Sequence, residues 1–172
     1  MSTFPIRQKL IEIAMRDEGQ REESRNRAPW IKKYWPATSY PDGYDNREPD
    51  CAAAVSYWVR EWLKLPEVQG AFGKTWDQLD KWRCKSAAAY GWRDWAKEHG
   101  VKMLSDSPDN VLHTGDIVVF DFSHIGIVMD DYKDRIVTIE SNTGPSGGRD
   151  GDGCYKKDRP REIARCFIRL LE

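Results

Sequence analysis

No stretch of this chain is apolar enough for long enough to span a bilayer, and its first ten residues, MSTFPIRQKL, lack the hydrophobic centre of a signal peptide. Export would then require another route. There is no excess of charge either: 27 basic and 28 acidic residues give a net charge of -1, so no bulk electrostatic attraction to nucleic acid or an anionic membrane is expected. Local basic patches stay open, for example Lys156, Lys157, Arg159 and Arg161. Cysteine is scarce: Cys51, Cys84, Cys154 and Cys166 contain no CxxC pair and are too few for a disulfide scaffold, so reduced thiols are expected. A Cys154–Cys166 bridge stays open, because spacing does not determine connectivity. The three histidines form no HExxH motif and no Cys/His ligand cluster, which argues against catalytic zinc. No cofactor motif, internal repeat or low-complexity linker interrupts the 172 residues, so one domain covering 1–172 is expected, large enough to bury its own core.

What is present is organised around PDCAAAVSYWVREWL, from Pro49 to Leu63. Apolar residues recur at Val55, Val59, Trp62 and Leu63, a helical stripe that Pro66 ends, and this puts Cys51 in the first helical turn. Unpaired backbone N–H groups and the positive end of the helix dipole favour the nucleophilic thiolate there. A buried structural cysteine would fit the same local pattern. The downstream sequence GDIVVFDFSHIGIV, followed by TIESNT, favours the catalytic alternative by supplying a histidine, an acid and an amide on strands.

Before Cys51, Ile6, Leu10, Ile13 and Ala14 mark an amphipathic helix closed by Gly19. A short helix is expected around Trp30 to Tyr34, then a loop through Pro36, Pro41 and Gly43 that lines whatever cleft the thiol faces. Asp42, Asp45, Asn46 and Asp50 in that loop offer oxygen ligands, but their spacing does not fit a helix-loop-helix calcium site and turn chemistry accounts for them. The GGRDGDG run from Gly147 to Gly153 reads the same way, as a turn. After Cys51, Thr75 caps a helix carrying Trp76, Leu79 and Trp82, and another runs from about Ser86 to Gly100. Helical spacing makes most of the eight tryptophans core residues, leaving Trp30 and Trp35 as candidates for ligand contact.

The second half turns to β-rich runs: Asp116 to Phe120, His124 to Met129, Arg135 to Glu140 and Arg165 to Leu171. Helices over 1–105 followed by strands over 114–172 indicate an α+β fold with an antiparallel sheet. Alternation puts His124, Gly126 and Val128 on one face and Thr138, Glu140 and Asn142 together on one face of the next strand. A hairpin symmetric about Tyr132 sets His124 opposite Glu140, and a slip of two residues substitutes Asn142. Either side chain would hold the imidazole in the tautomer a general base needs. His99, near a helix C-terminus, and His113, before a turn, read as surface residues.

At these residues the chain resembles the CHAP family of cysteine amidohydrolases and peptidases, within the papain-like group that includes the NlpC-type cell-wall hydrolases. The carriers are CAAAVSYW at Cys51, GDIVVF before SHIGIV at His124, TIESNT at Glu140 and Asn142, and upstream EGQREESRNRAPWIKKYW, in the family's order. The resemblance implies Cys51 as nucleophile, His124 as general base and acid, Glu140 orienting the imidazole and Asn142 assisting. It implies a papain-like fold, a cysteine-bearing helix packed on a small antiparallel sheet. The implied substrate is peptidoglycan, cut either at the N-acetylmuramoyl-L-alanine amide or within the stem peptide; the charge balance and histidine pattern above add the expectation of no metal or cofactor and no nucleic-acid or membrane partner. Action on the cell wall would follow cytoplasmic synthesis, with release by lysis, as in an endolysin, or through a secretion machine. Many members carry tryptophan immediately before the cysteine, where this chain has Asp50; a carboxylate there caps the helix or, facing the thiol, slows it. Two other readings use the same residues: an inactive cell-wall-binding domain and a thiol-dependent amide transferase.

Overall fold

The computed structural model describes residues 2–144 and 151–172. Its helices come first. Helix α1 spans Phe4–Met15 and α2 Pro29–Lys32, and two 3-10 turns, Trp35–Ala37 and Pro41–Gly43, lead to α3, Cys51–Leu63. Helices α4, Pro66–Phe72, α5, Trp76–Trp82, and α6, Ala89–Glu98, follow. Pro66 therefore does two jobs: it ends the apolar stripe of α3 and opens α4 at a position where its missing N–H costs no bond. Thr75 begins α5 with a full capping box closed by Gln78.

Six strands form one antiparallel sheet in the order β1-β6-β2-β3-β4-β5. They are β1, Lys102–Leu104; β2, Ile117–Phe120; β3, His124–Asp131; β4, Arg135–Thr143; β5, Gly153–Pro160; and β6, Ala164–Arg169. The α+β class with an antiparallel sheet is thus the observed one. Two strands extend the expectation: β1 lies inside the nominally helical half, and β5 carries the charged KKDR run. Of the GGRDGDG motif, residues 147–150 lie outside the described residues, and Gly153 begins β5.

The helices cover one face of the sheet. Helix α3 is buried around most of its circumference, from Cys51 and Ala52–Ala54 to Trp62 and Leu63, as a central helix must be. Its alanines let the backbone approach β3 and β4 closely, and Ile125, Ile127 and Ile139 meet it from the sheet. The buried carboxylate of Asp17, just past α1, ties three elements together: it accepts bonds from Tyr34 Oη at 2.7 Å, Trp58 Nε1 at 2.9 Å and Lys33 Nζ. That knot anchors the start of the loop leading to Cys51.

The opposite face carries a smaller core of Val118, Phe120, Val128, Ile136 and Phe167. The loop after β1 closes over it, held by Arg161, whose guanidinium donates to the carbonyls of Asp106, Ser107 and Asn110 and to Asp131 Oδ1 at 2.5–3.0 Å. Arg159 is buried as well, so these two arginines are internal fasteners and not part of an exposed basic patch. All four cysteines are free thiols, which removes the Cys154–Cys166 bridge. Among the described residues, no helix is long and apolar enough to cross a membrane.

Candidate active site

Cys51 is the first residue of α3, as its stripe predicts, and is 5% exposed. What exposure it has opens onto a cleft of about 380 Å³. One wall is the loop before α3, with Trp35, Tyr40, Glu48 and Pro49; the other is the small-residue run Ser86–Ala89, with Ser123 at the far side. Trp35 lines this cleft while almost wholly buried, its indole seated on Gly43, where a Cβ would lie 2.1 Å from the ring. Trp30 does not line it; its indole N–H is held by the Arg21 carbonyl at 2.9 Å.

His124 reaches the site through a tight hairpin. Phe120 pairs with His124 across β2 and β3, leaving a three-residue loop whose last member, Ser123, has φ 58°, the left-handed residue that such loops use. The imidazole is fully buried and stacks within 15–17° of the Phe120 and Phe122 rings, at 5.9 and 5.6 Å. Nε2 lies 2.9 Å from Glu140 Oε2. Nδ1, buried and without a hydrogen bond among the described residues, is the nitrogen left for Cys51.

The partner is the expected one, but the register is not. Strands β3 and β4 pair Ile127 with Ile139 and Val128 with Thr138, and a bulge lies between Val128 and Asp130. Continued to the site, that register sets Gly126, not His124, across from Glu140. The symmetric hairpin about Tyr132 is therefore corrected by two residues: Asp131 pairs with Ile136, so the turn takes residues 132–135 and displaces the register by three, and the bulge at Met129 returns one. Glu140 nevertheless meets His124 diagonally, since position 126 has no side chain: a Cβ there would lie 2.7 Å from Glu140 Cγ and 3.0 Å from the Ile139 carbonyl oxygen. The glycine in SHIGIV is what lets the carboxylate cross to the imidazole.

Glu140 is completely buried and bonded on both oxygens. Thr138 Oγ1 and Arg159 Nε donate to Oε1 at 2.6 and 2.9 Å, while Arg159 Nη2 reaches Oε2 at 2.5 Å. Burial alone would raise this carboxyl, but Arg159 and His124 reverse it and hold the group at about 2, below its ordinary 4.5. For His124, burial pulls the imidazole down, and Cys51 and then Glu140 outweigh that, lifting it from 6.5 to about 9. Of the two groups that raise the ring, the cysteine is the larger.

Asn142 is buried at a second irregularity, where the β4–β5 register shifts between Glu140 and Thr143, and its φ is 54°. It shares the strand with Glu140, whose carboxylate is the one bonded to the imidazole. Asp50 neither caps α3 with its side chain nor stays at the surface: it is fully buried and accepts a bond from Ser141 Oγ. Burial raises this carboxyl to about 6, against the Ser141 bond that lowers it. Asp45 pairs with Arg27 and Asn46 with Tyr40, so the loop's oxygen ligands do not converge. Among the described residues, no three His, Cys, Asp or Glu side chains are grouped to hold a metal ion. His99 is exposed and stacks on Trp95; His113 is partly buried near Asp116. The other thiols are idle by burial, which pushes Cys84 up to about 12 and also raises Cys154 and Cys166.

Sequence reasoning had not singled out Arg159, Gly126 or Ser141 as part of the site. Gly126 was legible in principle as a glycine inside a strand pattern, which marks close approach of another group. Arg159 offered no such signal, because its partner lies 19 residues away on another strand.

No protein-family model matches the chain, and no curated protein matches it.

Two outcomes follow. Gly126→Ala should cost about 1–3 kcal/mol in urea denaturation, mainly through its clash with Glu140, and the larger part of that cost should disappear in a Glu140→Ala background, the contact with the Ile139 carbonyl oxygen keeping the rest; an equal cost in both backgrounds would refute the crossing described. The second concerns pH. Because His124 is raised from 6.5 to about 9, its contribution to stability is complete below pH 6.5 and is lost as pH climbs to about 9. Because Glu140 is lowered from 4.5 to about 2, its contribution is complete above pH 4.5 and is lost as pH falls to about 2. Urea midpoints measured between pH 6.5 and 9 should fall for the wild type and stay flatter for His124→Gln; parallel curves would contradict the assignment.

Proposed function

We propose that the protein is a cysteine-dependent peptidoglycan hydrolase of the CHAP type, with a papain-like arrangement of helix and sheet, cutting amide bonds through a thioester. One observation carries the reading. The thiol at the first turn of a buried helix opens onto a cleft, beside an imidazole whose far nitrogen is gripped by a buried carboxylate. Structural cysteines have no use for either the cleft or the gripped imidazole.

In this mechanism the Cys51 sulfur attacks the amide carbonyl while the proton resides on His124. The oxyanion forms at the N-terminus of α3, where the Cys51 backbone N–H and the helix dipole favour negative charge. His124 then gives its proton to the leaving amine, and the C–N bond breaks to leave a thioester on Cys51. With the amine gone, the neutral imidazole takes a proton from water, hydroxide adds to the thioester, and the carboxylic acid departs as the C–S bond breaks, restoring the thiolate beside the protonated His124. Glu140 keeps the ring turned so that Nδ1, not Nε2, serves the sulfur. Tyr40, exposed at the cleft and backed by the buried Trp35, offers an aromatic surface suited to packing against the apolar faces of a sugar or peptide.

Purified peptidoglycan digested by the wild type and by Cys51→Ala, with fragments identified by mass spectrometry, tests this reading. Cysteine-dependent fragments are expected, with free muramoyl ends for an amidase or new peptide ends for an endopeptidase. No fragments across several wall chemistries would contradict it. In the same assay Glu140→Ala should lower the rate by about a hundredfold or more and Asn142→Ala by less. The reverse order would transfer the orienting role to Asn142.

A further inference from the structure

Arg159 is a cation buried on a strand whose neighbouring charges, Lys156 and Asp158, face solvent. Its guanidinium brackets Glu140, with Nε on Oε1 at 2.9 Å and Nη2 on Oε2 at 2.5 Å. It also lies over the Phe120 and Phe122 rings, 5.3 and 5.6 Å from their centroids. His124 meets the same carboxylate oxygen, Oε2, and stacks with the same two rings. Arginine and imidazole are thus registered against one shared frame.

From this geometry we infer that Arg159 is a positioning residue for the Cys51–His124 pair, acting through Glu140. The terminal torsion of a glutamate is broad, so a carboxylate held at one oxygen alone would leave the imidazole free to rock. Bracketing removes that freedom: Thr138 and Arg159 hold Oε1, and Arg159 fixes Oε2 where Nε2 needs it. Guanidinium is suited to this because its donors form a rigid planar fork, whereas lysine supplies the charge at one point only. A second consequence is electrostatic. Arg159 already balances Glu140, so the carboxylate orients the ring without capturing its proton, and the proton stays available to the cysteine. The inference rests on the catalytic reading of Cys51 and His124 but is independent of the wall as substrate.

The test therefore reads the two side chains directly, with no substrate. The chain has three histidines, so the His124 ring can be assigned by nitrogen-15 NMR and titrated in the wild type, Arg159→Gln and Arg159→Lys. In Arg159→Gln the unbalanced carboxylate should move the His124 midpoint above its wild-type position by about half a unit or more. Its Nε2–H signal should be lost to exchange, and Cys51 alkylation by iodoacetamide at pH 6 should slow by about tenfold as the thiol loses its oriented partner. Arg159→Lys should keep the midpoint near wild type and still lose the Nε2–H signal, which separates bracketing from charge. A purely structural arginine would lower thermal stability and leave midpoint, signal and alkylation rate unchanged; that result overturns the inference. If Arg159→Gln does not fold, Arg159→Lys alone carries the test: loss of the Nε2–H signal at a near wild-type midpoint is expected, and a retained signal with an unchanged Cys51 alkylation rate would overturn the inference.

Discussion

A carboxylate sealed from water must find all its hydrogen bonds in the protein, and Glu140 is such a group. Leaving it unpaired would cost several kcal/mol, on the order of the whole margin by which a domain this size is stable. Its donors therefore dictate where three strands lie: Thr138 on its own strand, Arg159 on β5 and His124 on β3. The same bonds that neutralise the buried charge also aim the imidazole. Stability and chemistry are in this respect one constraint.

The helical layer answers a second requirement. Cys51 needs a helix N-terminus held firmly against the start of β3, and α3 provides it by being apolar nearly all round. Asp17 gathers Lys33, Tyr34 and Trp58, and so fixes the chain on either side of the loop that forms one cleft wall. Asp50 is drawn inward to Ser141, linking the residue before Cys51 to the residue after Glu140. The two halves of the site, helix and sheet, are thereby tied at adjacent positions in sequence on both sides.

Much of this was legible in the chain. The stripe Val55, Val59, Trp62 put Cys51 at a helix start, and alternation put His124 and Glu140 on strands that face one another. The register was misread because the turn is not centred on Tyr132: Asp131 pairs with Ile136 across a four-residue turn, and the bulge at Met129 makes up only one of the three residues of offset. Gly126 makes the shifted register work, so His124 kept its expected partner by a different geometry. Strand β5 escaped notice for another reason: KKDR lacks apolar alternation, and the partner that makes Arg159 an inward residue is remote in sequence. The same holds for Arg161, whose acceptors are mostly loop carbonyls. Short-range pattern reveals faces and helix ends; it does not reveal which charge is buried with which.

At the centre stands the claim that Cys51 is a nucleophile activated by His124 while three other thiols are structural. Its most direct test is mass-spectrometric mapping of iodoacetamide-modified cysteines in the native protein at neutral pH. Modification of Cys51 at least about tenfold faster than Cys84, Cys154 and Cys166, with that advantage lost in His124→Ala, is the predicted result. A Cys51 that reacts no faster than the buried three, or one indifferent to the loss of His124, would contradict the account.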